Sequence, residues 1–162
     1  MGVKVGVVVL ESYNITWIEE FKKEKVNLEK IFCNKAISIE HIGSTSIPGL
    51  SAKPIIDIAV GVENLNDFEQ VKPIFYGLPE YSVKEDSDPG EWLIRKGSED
   101  NRTHFIHVME YYSDRYRDSI LFRDYLINNT EAREEYEKLK ISLFKKYANN
   151  RKEYTANKND FI

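Results

Sequence analysis

The chain has 162 residues, 41% hydrophobic and 31% charged, with 8 Gly and 5 Pro, which excludes collagen-like, low-complexity and wholly disordered chains and predicts one domain over residues 1–162. Its 23 basic and 27 acidic residues leave a net charge of −4, so no global positive field recruits nucleic acid or an anionic membrane. The lone Cys33 offers neither an intrachain disulfide nor a CxxC pair, which fits a reducing cytoplasm, and the apolar run at residues 5–10 is too short to span a bilayer and is followed by no small-residue cleavage site, so neither a membrane anchor nor a signal peptide is expected.

Residues 3–10 are rich in valine and read as a first strand or an extended arm. Thr16 and Glu19 have capping-box spacing, and Trp17, Phe21, Leu28 and Phe32 recur near the helical period, predicting a helix over residues 15–32. Ile37, Ile39 and His41 alternate with Ser38, Glu40 and Ile42, a strand that runs into a turn at Gly43 and Ser44. The next strand, residues 54–62, is nearly all apolar, as expected of one covered on both faces, and Asp57 interrupts it. Asn66 is placed to cap a helix carrying Phe68, Val71 and Phe75, with Pro73 expected to kink or shorten it. Residues 85–90 read as loop, and residues 91–95 and 103–110 as an antiparallel hairpin. Ser113 and Thr130 then open helices reaching to about residues 128 and 147, and a short third helix holds Tyr154, Lys158 and Phe161. The predicted fold is α/β (α+β), a mixed sheet with helices packed on it and a helical C-terminal third.

The segment from His41 to Asp57 carries the chemistry. A strand ending in Gly43-Ser44-Thr45-Ser46 offers amides and hydroxyls at a tight turn, which suits phosphate oxygens. Thirteen residues after Ser44 comes Asp57, placed where a magnesium ion would bridge protein and phosphate. An acid in an apolar strand needs a metal, a hydrogen-bond set or a cation, and an ion pair with Lys53 or Arg95 is the competing account. His41 is either a hydrogen-bonded core residue or a catalyst beside the turn. His104 and His107 are three apart on one strand and face opposite ways, so they do not share a metal, though one of them can join Asp57. Arg95 and Arg123 are candidate phosphate contacts, each with a solvated or ion-paired alternative. Tyr136 and Lys140 lie one helical turn apart, with packing the expected role of Tyr136.

The string IEHIGSTSIPGLSAKPIIDIAVGV resembles the GrpB family, small bacterial proteins related to nucleotidyltransferases, and the resemblance extends over nearly the whole chain through Thr103 to Val108, Leu121 to Leu126 and Tyr136 to Lys140. It implies a nucleotidyltransferase-like core in which Gly43 and Ser44 grip nucleotide phosphates and Asp57 is the first of two magnesium-binding acids. The second acid, two residues on, is Ala59 in this chain, so the standard two-metal pair cannot come from this strand; Glu110, His107 or Glu40 would have to substitute. Two functions follow as expectations. One is Mg-dependent nucleotidyl transfer, with Gly43, Ser44, Thr45, Ser46, Lys53 and Arg95 on the nucleotide, Asp57 on the metal, His41 or His107 as proton acceptor or extra ligand, and Arg123 offsetting charge. The other is a non-catalytic sensor that retains the anion pocket. Both take a nucleotide or other phosphate-bearing small molecule as partner, with nucleic acid and membrane disfavoured.

Overall fold

The computed structural model describes residues 1–147 and 150–159, with the side chains at 151, 152, 158 and 159 outside that description. The expected roles of Lys158 and Phe161 therefore fall outside the described residues.

Five strands form one mixed sheet in the order β1-β2-β5-β4-β3: β1 (Ala36–Ile42), β2 (Ile56–Val62), β3 (Tyr81–Lys84), β4 (Glu91–Gly97) and β5 (Arg102–Glu110). β2 and β5 are parallel and every other pair is antiparallel. The first helices, α1 (Thr16–Phe32) and α2 (Asn66–Tyr76), cover one face; Trp17, Leu28, Phe32, Phe68 and Phe75 pack there on Ile56, Ile58, Val60, Ile94, Ile106 and Val108. The opposite face meets α3 (Asp114–Asn128), whose Tyr116 packs on Ile42, Ala59 and Met109. Behind α3, α4 (Thr130–Tyr147) packs Tyr136 with Ile47, Leu50 and Leu126, and α5 (Arg151–Asn159) places Tyr154 against Leu143 and Val8. Cover on both faces explains the unbroken apolar run of β2.

Several local expectations shift. The N-terminal stretch is an arm rather than a strand, pairing through the isolated bridges Val3–Arg102 and Glu11–Ala52. Asn14, not Thr16, caps α1, because its Oδ1 accepts both the Thr16 amide at 3.0 Å and the Thr16 hydroxyl at 2.8 Å. In the same way Asn64 Oδ1, rather than Asn66, accepts an amide at the start of α2, that of Asn66 at 2.8 Å. Pro73 sits inside α2, which continues to Tyr76. The short edge strand β3 has no counterpart among the predicted elements; its four residues are too few for periodicity to mark.

Candidate functional site

Register decides which side chains meet. Asp57 lies in one row with Ile42 on β1, Phe105 on β5 and Arg95 on β4, and the adjacent row on the same face holds Glu40, Ala59, His107 and Leu93. His41 pairs with Ile58 and so points to the other face, as does His104, which pairs with Ile56. Of the two β5 histidines it is therefore His107 that joins Asp57.

Gly43 follows β1 with φ +69° and ψ −174°, backbone that side-chain-bearing residues rarely adopt. A Cβ on it would stand 2.6 Å from Asp57 Oδ2, so the bend and the carboxylate are in direct contact. The other carboxylate oxygen, Oδ1, lies 3.5 Å from His107 Nε2. His107 Nδ1 in turn is 2.7 Å from Glu91, and Glu91 takes Arg115 at 3.0 Å, giving a chain of alternating charge from β2 to α3. Burial opposes a charge on His107, but hydrogen bonding and attraction from Asp57 and Glu91 outweigh it and raise its pKa to about 9. At neutral pH His107 is thus an imidazolium held between two carboxylates. Burial works against ionised Glu91 as well, and His107 and Arg115 overcome it and hold its pKa below the ordinary value.

The bend and Asp57 border a cavity of about 510 Å³. Ser44, Lys53, Arg115 and Lys140 contribute polar lining, while Phe105, Phe122, Tyr136 and Tyr154 give it aromatic walls. Within the bend the hydroxyls diverge. Ser44 lines the cavity beside Tyr136, Thr45 turns inward to His41 at 2.9 Å, and Ser46 donates to the Gly43 carbonyl at 2.6 Å. Ser44 is therefore the bend hydroxyl left on the cavity side, with Thr45 and Ser46 holding the turn itself.

Two expected catalytic residues have other positions. His41 is 7% exposed, stacks on Phe21 at 4.9 Å, and is kept neutral by burial, which lowers its pKa to about 4. It is a core histidine on the far side of the sheet from Asp57. Arg123 donates to Glu40 at 2.8 Å, to the His41 carbonyl at 2.9 Å and to Asp124 at 2.8 Å, tying α3 to the free edge of β1. Arg123→Ala is expected to cost about 2 kcal/mol, the value of losing charge-assisted bonds to a half-buried acid and an edge carbonyl, as read by urea denaturation. Arg95 shares the Asp57 row but stands two strands away, about 10 Å, and does not border the cavity.

Residues with no sequence-based role supply much of the electrostatics. Glu91 and Arg115 sit near the starts of β4 and α3, with no local pattern linking them to Asp57. Glu24, by contrast, falls on the apolar stripe of α1, a position that marks a buried acid. It is 2% exposed and accepts the Tyr81 hydroxyl at 2.7 Å and the Lys96 ammonium, forming a second polar centre on the α1 face.

The paired-acid, two-metal site implied by the resemblance is not assembled by these residues. Ala59 is fully buried and packs with Met109 and Tyr116, so a second carboxylate at its position would have to displace them. Glu40 is committed to Arg123 and Glu110 to the Leu65 amide at 3.4 Å, and the partner Asp57 does have is a cation. Among the described residues no group of three or more His, Cys, Asp or Glu is arranged to hold a metal.

A mixed sheet with a glycine bend against an acidic strand is the arrangement that the resemblance implies. The chain belongs to the GrpB family: the family described as GrpB protein matches residues 7–162. Glutamate-rich protein GrpB of Alkalihalophilus pseudofirmus is 39% identical, over 100% of this chain and 95% of its own length. UPF0157 protein YqkA of Bacillus subtilis is 33% identical over 93% of this chain, which spans 43% of that protein. The crystal structure of conserved protein GrpB from Enterococcus faecalis superposes with a TM-score of 0.83 at 28% identity, covering 94% of this chain and 96% of that one. Among the described residues no helix is long and apolar enough to cross a membrane.

Proposed function

We propose that the chain binds a nucleotide or other phosphate-bearing small molecule in the cavity beside Gly43 and Asp57, without a magnesium ion and without a two-metal transfer centre. The reading is carried by the contact between the Gly43 bend and the Asp57 carboxylate at the wall of a 510 Å³ cavity. A bare carboxylate at a phosphate site would repel the ligand. The His107 imidazolium cancels that charge, doing for Asp57 what a metal does in an active transferase. Glu91 and Arg115 continue the alternation, so the wall carries no net repulsion, and Lys53 adds a cation at the cavity edge. The volume lies within the range of small-molecule sites, and the aromatic walls suit a ring system attached to the phosphate.

Calorimetry with ATP tests this directly. Binding in EDTA is expected to match binding in excess Mg²⁺ within about threefold, and Lys53→Met to weaken both by about tenfold, the value of one charge-assisted contact. Binding that requires Mg²⁺ and is accompanied by pyrophosphate release would replace this reading with Mg-dependent nucleotidyl transfer. Absence of binding in both conditions would remove the nucleotide.

A further inference from the structure

The loop between the bend and β2 has little secondary structure of its own, so its backbone polar groups need partners from elsewhere. One turn of α4 provides them. Both carboxylate oxygens of Glu137 face the Ser51 amide, at 3.3 and 3.1 Å, and the Lys140 ammonium donates to the Ser51 carbonyl. One loop residue is thus gripped on its donor and its acceptor side by two side chains three residues apart. Lys140 is 2% exposed, lies 3.5 Å from Glu137, and stands 5.0 Å from the centre of the Tyr136 ring. Tyr136, 1% exposed, packs on Ile47 and Leu50 of the loop and lines the cavity together with Ser44 at its other end.

We propose that Tyr136, Glu137 and Lys140 are positioning residues of the candidate site, clamping the 44–53 loop at both ends so that Ser44 and Lys53 face the cavity. The proposal rests on the anion-site reading for its functional consequence, but the clamp itself has an independent readout. A packing role alone requires only that Tyr136 and the aliphatic stem of Lys140 fill space. It does not require carboxylate and ammonium on opposite sides of one loop residue, where burying the Lys140 charge beside a partly exposed Glu137 is costly unless the ammonium is used. Spacing explains the choice of residues: positions 136 and 140 share one face of α4, and position 137 is beside them.

The test compares the intact wild-type chain with Glu137→Gln, Tyr136→Phe, Lys140→Met and Lys140→Arg, by amide hydrogen exchange and by calorimetry with ATP. Glu137→Gln and Tyr136→Phe preserve shape, so they keep the test usable if Lys140→Met fails to fold. The expected result is exchange at least about tenfold faster at residues 44–53 in Glu137→Gln and Tyr136→Phe, with β2 and β5 amides unchanged. ATP affinity should fall by a similar factor, and Lys140→Arg, which keeps the cation, should remain near wild type. Exchange at 44–53 that equals wild type in both shape-preserving variants overturns the clamp. If the wild type binds no ATP, the anion-site reading fails, and the exchange result alone decides whether α4 orders the loop. If ATP binds and the loop loosens with no loss of affinity, the positioning role is overturned while the anion site stands.

Discussion

Replacing Gly43 by alanine is expected to destabilise the chain by about 3–4 kcal/mol and to abolish phosphate-ligand binding. Two separate penalties combine. The backbone at φ +69° and ψ −174° costs a residue with a side chain roughly 1–3 kcal/mol wherever it occurs. The added Cβ would also meet Asp57 Oδ2 at 2.6 Å, and Asp57 cannot retreat without breaking its pairing with His107. A double-mutant cycle separates the two. In an Asp57→Ala background the clash with the carboxyl group is removed while the 3.0 Å approach to the residue-57 Cβ stays, so the Gly43→Ala cost should shrink by about 1–2 kcal/mol and the backbone part should remain. Urea denaturation of the four proteins, with calorimetry on each, gives both numbers. A Gly43→Ala cost below about 1 kcal/mol, or no coupling to Asp57, would mean that the bend and the carboxylate do not share the site.

The contact between Gly43 and Asp57 is partly legible in the amino-acid sequence. The strand ending in a glycine and the acid in an apolar run are local patterns, and both elements form where period and composition put them. The register between them is not a local property. Residues 43–55 separate β1 from β2, and a connection of that length carries no hairpin rule to fix pairing. Because side chains alternate, a one-residue change in register would exchange His41 for Ile42 on the Asp57 face. The same reasoning covers His107, whose side depends on a parallel pairing between β2 and β5, strands that are far apart in the chain. Glu91 and Arg115 are less legible still, because their link to Asp57 passes through His107. Arg123 reads in the sequence either as a guanidinium reaching a cleft or as a partner of Asp124; the Asp124 pair forms, while Glu40 and the His41 carbonyl, far from it along the chain, are not legible as partners. Lys140, in contrast, lies one turn from Tyr136 on the buried side of α4, and that position marks it as a lysine with a fixed partner.

The opposite placement of His41 and His107 predicts a stability maximum near pH 6.5. For His107 the folded pKa is raised from the ordinary 6.5 to about 9, so the folded state holds a proton that the unfolded chain has released between those values. Its contribution is complete below pH 6.5 and is lost as pH rises through 9, roughly 2–3 kcal/mol after allowing for a side chain that is one quarter exposed. For His41 the folded pKa is lowered to about 4, so below pH 6.5 the unfolded chain takes up a proton that the folded state refuses, and stability falls by a similar roughly 2–3 kcal/mol toward pH 4. Glu91, whose folded pKa is depressed, steepens the acid side further. Urea denaturation from pH 4 to pH 9.5 should therefore trace a dome. His107→Gln should flatten its alkaline limb while the acid limb persists, and should also weaken ATP binding, because Asp57 then faces the ligand without its neighbouring cation. Stability that is level or rising between pH 7 and 9 in the wild type would show that His107 is neutral. It would also remove the charge cancellation on which metal-independent anion binding depends.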